Sequence, residues 1–443
     1  MLESEKIEKR IKNMKKIYEN INEVFDNIPD SIPKEKVDQL KNVILGDKEL
    51  KNLIDGVDSH RPPKIFLIGR TGVGKSSLIN ALCSAYVAFV DDVKSCTKEA
   101  DIHKCVYENR VLMEVLDTRG IAESESLNSE VSAEDMLIKQ VSEFSPDIAI
   151  LMLNCTHRDD IDSDVSFVKN IVDNYKKMNG ITLPVIVVVN KCDEMTPSRF
   201  KLPSEYTQVK INKIEQSVRY FKGIVDRIGL EIDDIVAVSS LLEWQSADGE
   251  DVNFEDINEM SSQDVENLKI SFDGRYNLDV LLNVLEKNIK DVEAQMGLKM
   301  AFRLTEVVHK IAKRLNGIFS GLAGTVALTP IPVSDIYILL TLQSVMVSMI
   351  AALSGRDVNF DTAKEFVLSL GGIVGAGYVF KLVAQQGAKL LNVLYPGAGS
   401  VVSASVASMG TSSIGNAAIA YYIDEKSKKE VKKDFKESSN CSE

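Results

Sequence analysis

The sequence predicts an α/β domain built on a mostly parallel sheet, joined to an all-α domain made from N-terminal helices and a C-terminal helical region. Three observations predict it. From Lys64 to about Val292 short apolar runs alternate with amphipathic stretches, the pattern of a parallel sheet covered on both faces. Inside that region, "IFLIGRTGVGKSSLIN" sets a glycine-bearing turn between an apolar run and a stretch of helical spacing. Beyond about residue 295 the composition shifts to Gly, Ala, Ser and long apolar runs.

In chain order, Ile7, Ile11, Met14, Ile17, Ile21 and Phe25 recur at spacings of three and four, one face of a helix. The turn "IPDSIPKEKV" starts a second helix, and "SHRPP" at 59–63 breaks the pattern before the first strand. Strands are expected at 64–69, 101–108, 110–116, 147–153, 184–190 and 234–239. These readings divide the chain into helices at 1–60, an α/β domain at 61–292 and a helical, apolar hairpin domain with a charged tail at 293–443.

The turn at Gly69-Arg70-Thr71-Gly72-Val73-Gly74-Lys75-Ser76 fits G-x-x-x-x-G-K-[ST], in which peptide N–H groups wrap a polyphosphate. Ser77 carries the chain into a helix whose positive end faces the phosphates. Lys75 is placed to reach the β and γ phosphates, and Ser76 to ligate Mg²⁺. "VLDTRG" follows at the end of a strand: Asp117 can hold the Mg²⁺ through water, and the Gly120 N–H can bond the γ phosphate. "PVIVVVNKCD" then ends in Asn190-Lys191-Cys192-Asp193. The Asp193 carboxylate can accept N1–H and the exocyclic amine of guanine, an edge that adenine lacks. Sites built this way reject the wrong analogue by about 10⁴ or more. Asn190 would brace the loop and the Lys191 stem would lie along the base. In "IVAVSSLLEW", Ser239 and Ser240 close a late strand, where a backbone N–H could meet guanine O6. All four motifs follow strand ends, where ligands bind in open α/β sheets.

With these motifs in this order, residues 64 to about 290 resemble the Ras-like P-loop GTPases. "GRTGVGKSSLINAL" with "DTRG" looks most like the Era-related branch and the septin or immunity-related branches. The resemblance implies GTP and GDP as ligands, Mg²⁺ as cofactor, and a hydrolase acting as a nucleotide-dependent switch. It also implies a threonine that binds Mg²⁺ and senses the γ phosphate; Thr97 in "KSCTKEADIH" is assigned to that role, with Ser95 as the alternative. The polar segment "GIAESESLNSEV" corresponds to a second switch. Ile121 stands where Ras-type enzymes carry a water-orienting glutamine. Slow turnover is therefore expected, near or below ~10⁻⁴–10⁻² s⁻¹ without a partner or a dimer through the G domains. Arg70 and Arg119 are either charge-stabilising arginines or solvated loop residues. Gly72 occupies the position of the asparagine of potassium-stimulated relatives, which weakens the case for potassium dependence.

The C-terminal third permits two readings. Residues 336–355, "IYILLTLQSVMVSMIAALSG", carry no charge and approach a membrane span in length; Leu390 to Ile423 are also uncharged, and Gly371 and Gly375 form a G-x-x-x-G. Either a bundle buries these runs, or they meet membrane lipid. The region from about 315 to 425 is similar to the YcjF-like helical domain of unknown function that follows bacterial GTPase domains, which implies membrane linkage.

A net charge of −13 in 443 residues argues against a general affinity for nucleic acid. Six cysteines without a C-x-x-C pair suit a reducing cytosol, and four dispersed histidines argue against zinc. "MLESEKIEKR" does not resemble a signal peptide, so a cytoplasmic location, or the cytoplasmic face of a membrane, is expected. A ribosome-assembly GTPase and a non-hydrolysing nucleotide-gated scaffold are the alternatives. Against the first, Ile228 to Leu268 hold no Lys or Arg, and the acidic "ADGEDVNFEDINEM" is expected to be a solvated loop.

Overall fold

The structure, a computed structural model, describes residues 3–16, 18–19, 34–86, 88–91, 101–107, 110–117, 133–157, 161–328, 334–356, 359–370 and 398–440. The chain forms two compact units, one of His60–Arg303 and one of Met1–Ser59 with Leu304–Glu443.

In the second of these, the N-terminal helices are α1 (Glu3–Lys15), α2 (Lys34–Leu45) and α3 (Lys48–Ser59). Met14 of the expected apolar row is fully buried, while Ile17, Ile21 and Phe25 lie outside the described residues. Asp47 caps α3, its Oδ1 accepting from the Leu50 N–H at 2.8 Å.

The α/β unit begins with β1 (Lys64–Ile68), α4 (Lys75–Cys83), β2 (Ala88–Asp91), β3 (Asp101–Tyr107) and β4 (Arg110–Asp117). It continues through α5 (Ala133–Phe144), β5 (Ile148–Asn154), α6 (Ile161–Asn179), β6 (Val185–Asn190), α7 (Gln208–Ile228) and β7 (Asp234–Ala237). These seven strands form one sheet in the order β2-β3-β4-β1-β5-β6-β7. From β4 through β1 to β7 every pairing is parallel, whereas β2-β3-β4 is an antiparallel edge. Side-chain alternation along β1 explains the two-sided burial. Phe66 and Ile68 join a core with α5, α6 and α7; Ile65 and Leu67 join the opposite core with α4. Gly229 in the left-handed region ends α7, and Thr207 caps its start.

After β7 the chain leaves the main sheet. A three-stranded antiparallel sheet, ordered β10-β8-β9, is made from β8 (Ser239–Gln245), β9 (Asp251–Val252) and β10 (Lys269–Tyr276), with the short helices α8 (Phe254–Glu259) and α9 (Ser262–Glu266) between them. Two expectations are corrected here. The strand expected at 234–239 ends at Ala237, and Ser239 opens β8 instead. The acidic stretch expected as a solvated loop is only partly a turn: Asp251–Val252 pair with β8, and Ile257 of α8 is buried. Its few apolar residues anchor it. The unit closes with α10 (Leu278–Asn288) and α11 (Val292–Phe302), whose Leu281, Leu285 and Leu298 complete the second core.

The helical unit resumes with α12 (Leu304–Leu328), α13 (Ser334–Leu353), α14 (360–370), α15 (Ala398–Ala418) and α16 (Lys428–Asn440), with a π-helical turn at Ile419–Ile423. The charge-free run at 336–355 is largely α13, and from Ile338 to Leu353 its apolar side chains are almost all buried. Gln343 of α13 donates to Thr411 of α15 at 3.1 Å within this interior. Between α12 and α15 the helices touch closely: a Cβ on Gly415 would sit 2.1 Å from Asn316 Oδ1, and the Asn316 amide donates to Ser412 O at 3.1 Å. Among the described residues no helix is long and apolar enough to cross a membrane. Gly371 and Gly375 lie outside the described residues.

Candidate functional site

The first half of the site is the turn between β1 and α4. Gly74, at φ +94°, is the last residue before α4, and no side chain caps that helix. Its first N–H groups therefore face outward as an anion cradle. Val73 is buried, while Thr71, Gly72, Ser76 and Ser77 are exposed. Lys75 Nζ donates to the carbonyl of Gly69 at 2.7 Å and lies 3.5 Å from Asp117 Oδ1. Parallel pairing of β1 with β4, register Leu67 to Asp117, brings that carboxylate beside the turn. Arg70 points elsewhere: its Nε and Nη2 grip the Asp164 carboxylate of α6 at 2.8 and 3.0 Å. Gly120, Thr97, Ser95, Arg119 and Ile121 lie outside the described residues.

The second half follows β6. Asn190 is buried; its Nδ2 donates to the Val73 carbonyl at 3.0 Å, and its Oδ1 accepts from Ser240 Oγ at 3.1 Å. The expected bracing role of Asn190 takes the form of a tie from the turn after β6 to the turn after β1. Lys191 adopts the left-handed conformation, φ 63°, and turns the chain into a short 3₁₀ turn at Cys192–Glu194. Asp193 is 6% exposed, and its Oδ1 accepts from Ser239 Oγ at 3.0 Å while Oδ2 accepts from Lys201 Nζ at 3.1 Å. Ser239 and Ser240 thus reach the site through their hydroxyls.

Sequence reasoning missed Lys210. It is fully buried near the start of α7, and its Nζ donates to the carbonyls of Asp193 and Phe200, each at 2.7 Å. The ammonium also lies 4.4 Å from the Tyr206 ring centroid. Burial draws its pKa below the ordinary lysine value. Nothing in "YTQVKINKIEQ" distinguishes it from neighbouring surface lysines, because the two carbonyls that hold it come from a different segment. Between α4 and the three-stranded sheet lies a cavity of about 600 Å³, bordered by Ser76, Ser77, Ser240 and an edge-to-face pair of Tyr86 and Trp244 with centroids 5.8 Å apart.

A phosphate cradle and a buried aspartate stand at the same end of a parallel sheet, joined by one asparagine; that arrangement defines a P-loop nucleotide-binding domain. The family model described as 50S ribosome-binding GTPase matches residues 64–191. The chain is 34% identical over 190 residues to the tRNA modification GTPase MnmE of Buchnera aphidicola subsp. Cinara cedri, covering 40% of this chain and 39% of that protein. It is 33% identical over 176 residues to GTPase Der of Mycoplasma mycoides subsp. mycoides SC, covering 39% and 36%. The chain thus spans well under half the length of these two relatives. Toc33 from Arabidopsis thaliana, solved with GDP and Mg²⁺, aligns at 14% identity over 49% of this chain and 82% of that one, with a TM-score of 0.28. This chain carries a P-loop GTPase domain homologous to those of MnmE and Der.

Proposed function

We propose that the protein is a guanine-nucleotide switch with slow intrinsic GTP hydrolysis. The observation that carries this reading is the Asn190–Val73 hydrogen bond, which ties the base-reading loop to the phosphate turn. The two halves are then held together by the fold itself, as one ligand carrying both groups requires. In this reading the amides of Gly72, Val73, Gly74 and Lys75 hold the β phosphate, Lys75 exchanges the Gly69 carbonyl for phosphate oxygens, and Asp193 reads guanine.

Mg²⁺ fits the donors present. Ser76 offers an exposed hydroxyl and Asp117 a carboxylate that would hold the ion through water, both hard oxygens of the kind Mg²⁺ takes alongside phosphate oxygens. No group of three or more His, Cys, Asp or Glu that could hold a metal occurs among the described residues, and such a shared site does not need one. Bound there, Mg²⁺ would neutralise charge on the phosphates; Thr97 is the proposed second direct protein ligand.

Calorimetry with GDP, GTP and ATP in the presence of MgCl₂ tests the reading. Guanine nucleotides should bind, ATP should not, and Lys75→Ala should abolish binding. Equal affinity for ATP and GTP would sink it. Single-turnover assays should then show slow hydrolysis that accelerates with a partner or on dimerisation; GTP left unchanged under every condition would favour the nucleotide-gated scaffold.

The description of the matched family favours a second reading, ribosome binding. The acidic strands and helices of 239–276 would repel RNA, and co-sedimentation with ribosomes at moderate salt decides it. Peripheral contact with lipid is a further extension, through the helical unit. Its basis is the uncharged stretch from 390 to 423, where Met409 of α15 is exposed although much of that helix, like the run at 336–355, is packed within the unit. Vesicle flotation in the GTP or GDP state would support it.

A further inference from the structure

We infer that Lys201 competes with guanine for Asp193 and so sets the affinity and entry rate of the nucleotide. The inference rests on the guanine reading above. Asp193 presents two oxygens: Oδ1 holds the Ser239 hydroxyl at 3.0 Å and Oδ2 holds the Lys201 ammonium at 3.1 Å. Guanine needs both, one for N1–H and one for the exocyclic amine. A hydroxyl leaves the second lone pair of Oδ1 available, but an ammonium against Oδ2 fills the approach of a planar base edge.

The surroundings make Lys201 a movable stopper. Its backbone is held next door, because Lys210 bonds the Phe200 carbonyl at 2.7 Å. Its side chain is 41% exposed, against 8% for that of Asp193. A cavity of about 320 Å³ adjoins it, bordered by Arg199, Glu205, Leu241, Glu243 and Phe272. Glu205 and Glu243 offer the ammonium a second carboxylate partner once it leaves Asp193, and Glu243 comes from β8 of the three-stranded sheet. The segment inserted after β7 therefore supplies both Ser239, which orients Asp193, and the alternative seat for Lys201. Guanine entry exchanges a charged donor for two neutral ones, at the cost of the Lys201–Asp193 pair.

The test compares full-length wild type with Lys201→Met and Lys201→Arg, using calorimetry and stopped-flow with a fluorescent GDP plus MgCl₂, and ADP as control. Lys201→Met is expected to bind GDP about fivefold tighter, the worth of one half-exposed pair, with a faster association rate. Lys201→Arg, which keeps the pair, should stay within about twofold of wild type. Melting curves confirm that each variant is folded. A folded Lys201→Met that binds GDP no tighter than wild type overturns the inference alone, as does an arginine variant that tightens equally. Wild type that binds no GDP overturns the guanine reading and this inference together.

Discussion

Asn190 Nδ2 lies 3.0 Å from the Val73 carbonyl, and a Cβ on Gly74 would lie 2.6 Å from the same nitrogen. The residue between cradle and lysine is thus glycine for two reasons, its left-handed backbone and the amide packed against it. Gly74→Ala must strain the turn or expel Asn190. Strain of about 2 kcal/mol would weaken GDP binding roughly 30-fold. Titration calorimetry checks this; an affinity within twofold of wild type would show that the two halves are not coupled.

Asp193→Asn replaces an acceptor with a donor on one side. Guanine nucleotides should lose about two to four orders of magnitude in affinity, while xanthosine nucleotides, with a carbonyl where guanine has an amine, should gain. Competition against fluorescent GDP and XDP reads both. A variant that loses GDP and gains nothing would point to a damaged loop rather than to base reading.

Lys210→Met keeps the stem and removes the ammonium, leaving the Asp193 and Phe200 carbonyls without that donor. The expected cost is roughly 2–3 kcal/mol of stability, seen as a lower urea midpoint, together with weaker GDP binding because the Asp193 loop loses its floor. Stability loss with unchanged affinity would make Lys210 a fold residue only.

Asp47 both caps α3 and accepts from Arg314 of α12, with Arg314 Nε at 2.9 Å from Oδ1. The guanidinium, above all through this hydrogen bond, holds the Asp47 carboxyl below its ordinary 3.8. The folded pKa is lower than the unfolded one, so the ionised carboxylate stabilises the fold above pH 3.8, and that contribution is lost as the pH falls through the folded value. Asp47→Asn should be less stable than wild type by about 1 kcal/mol near neutrality, with the gap closing below about pH 4. Urea unfolding followed by circular dichroism across that range checks it; a constant gap would rule out the carboxylate's charge as the cause.

Much of the nucleotide unit is legible in short stretches. "GRTGVGKSS" marks the phosphate turn because glycines and a lysine at that spacing suit little else, and "VVVNKCD" locates a polar turn after a buried strand. Both are local: the backbone and a few adjacent residues determine them. The antiparallel β2 strand and the sheet of 239–276 are not legible, since an edge or accessory strand is defined by the partner it pairs with, which the local pattern does not name. Lys210 shows the limit most clearly, as does α13, whose uncharged run reads equally as bundle interior or membrane. Burial of a charge, or of an apolar helix, depends on segments distant in the chain. By itself, then, the sequence determined the glycine-bearing turn after β1, the polar Asn190–Asp193 turn after β6 and the alternation of strands and helices. Only the tertiary structure decided that Asn190 reaches Val73, that Lys210 lies under Asp193 and that α13 is core, because these need partners that only folding brings within hydrogen-bonding or packing distance.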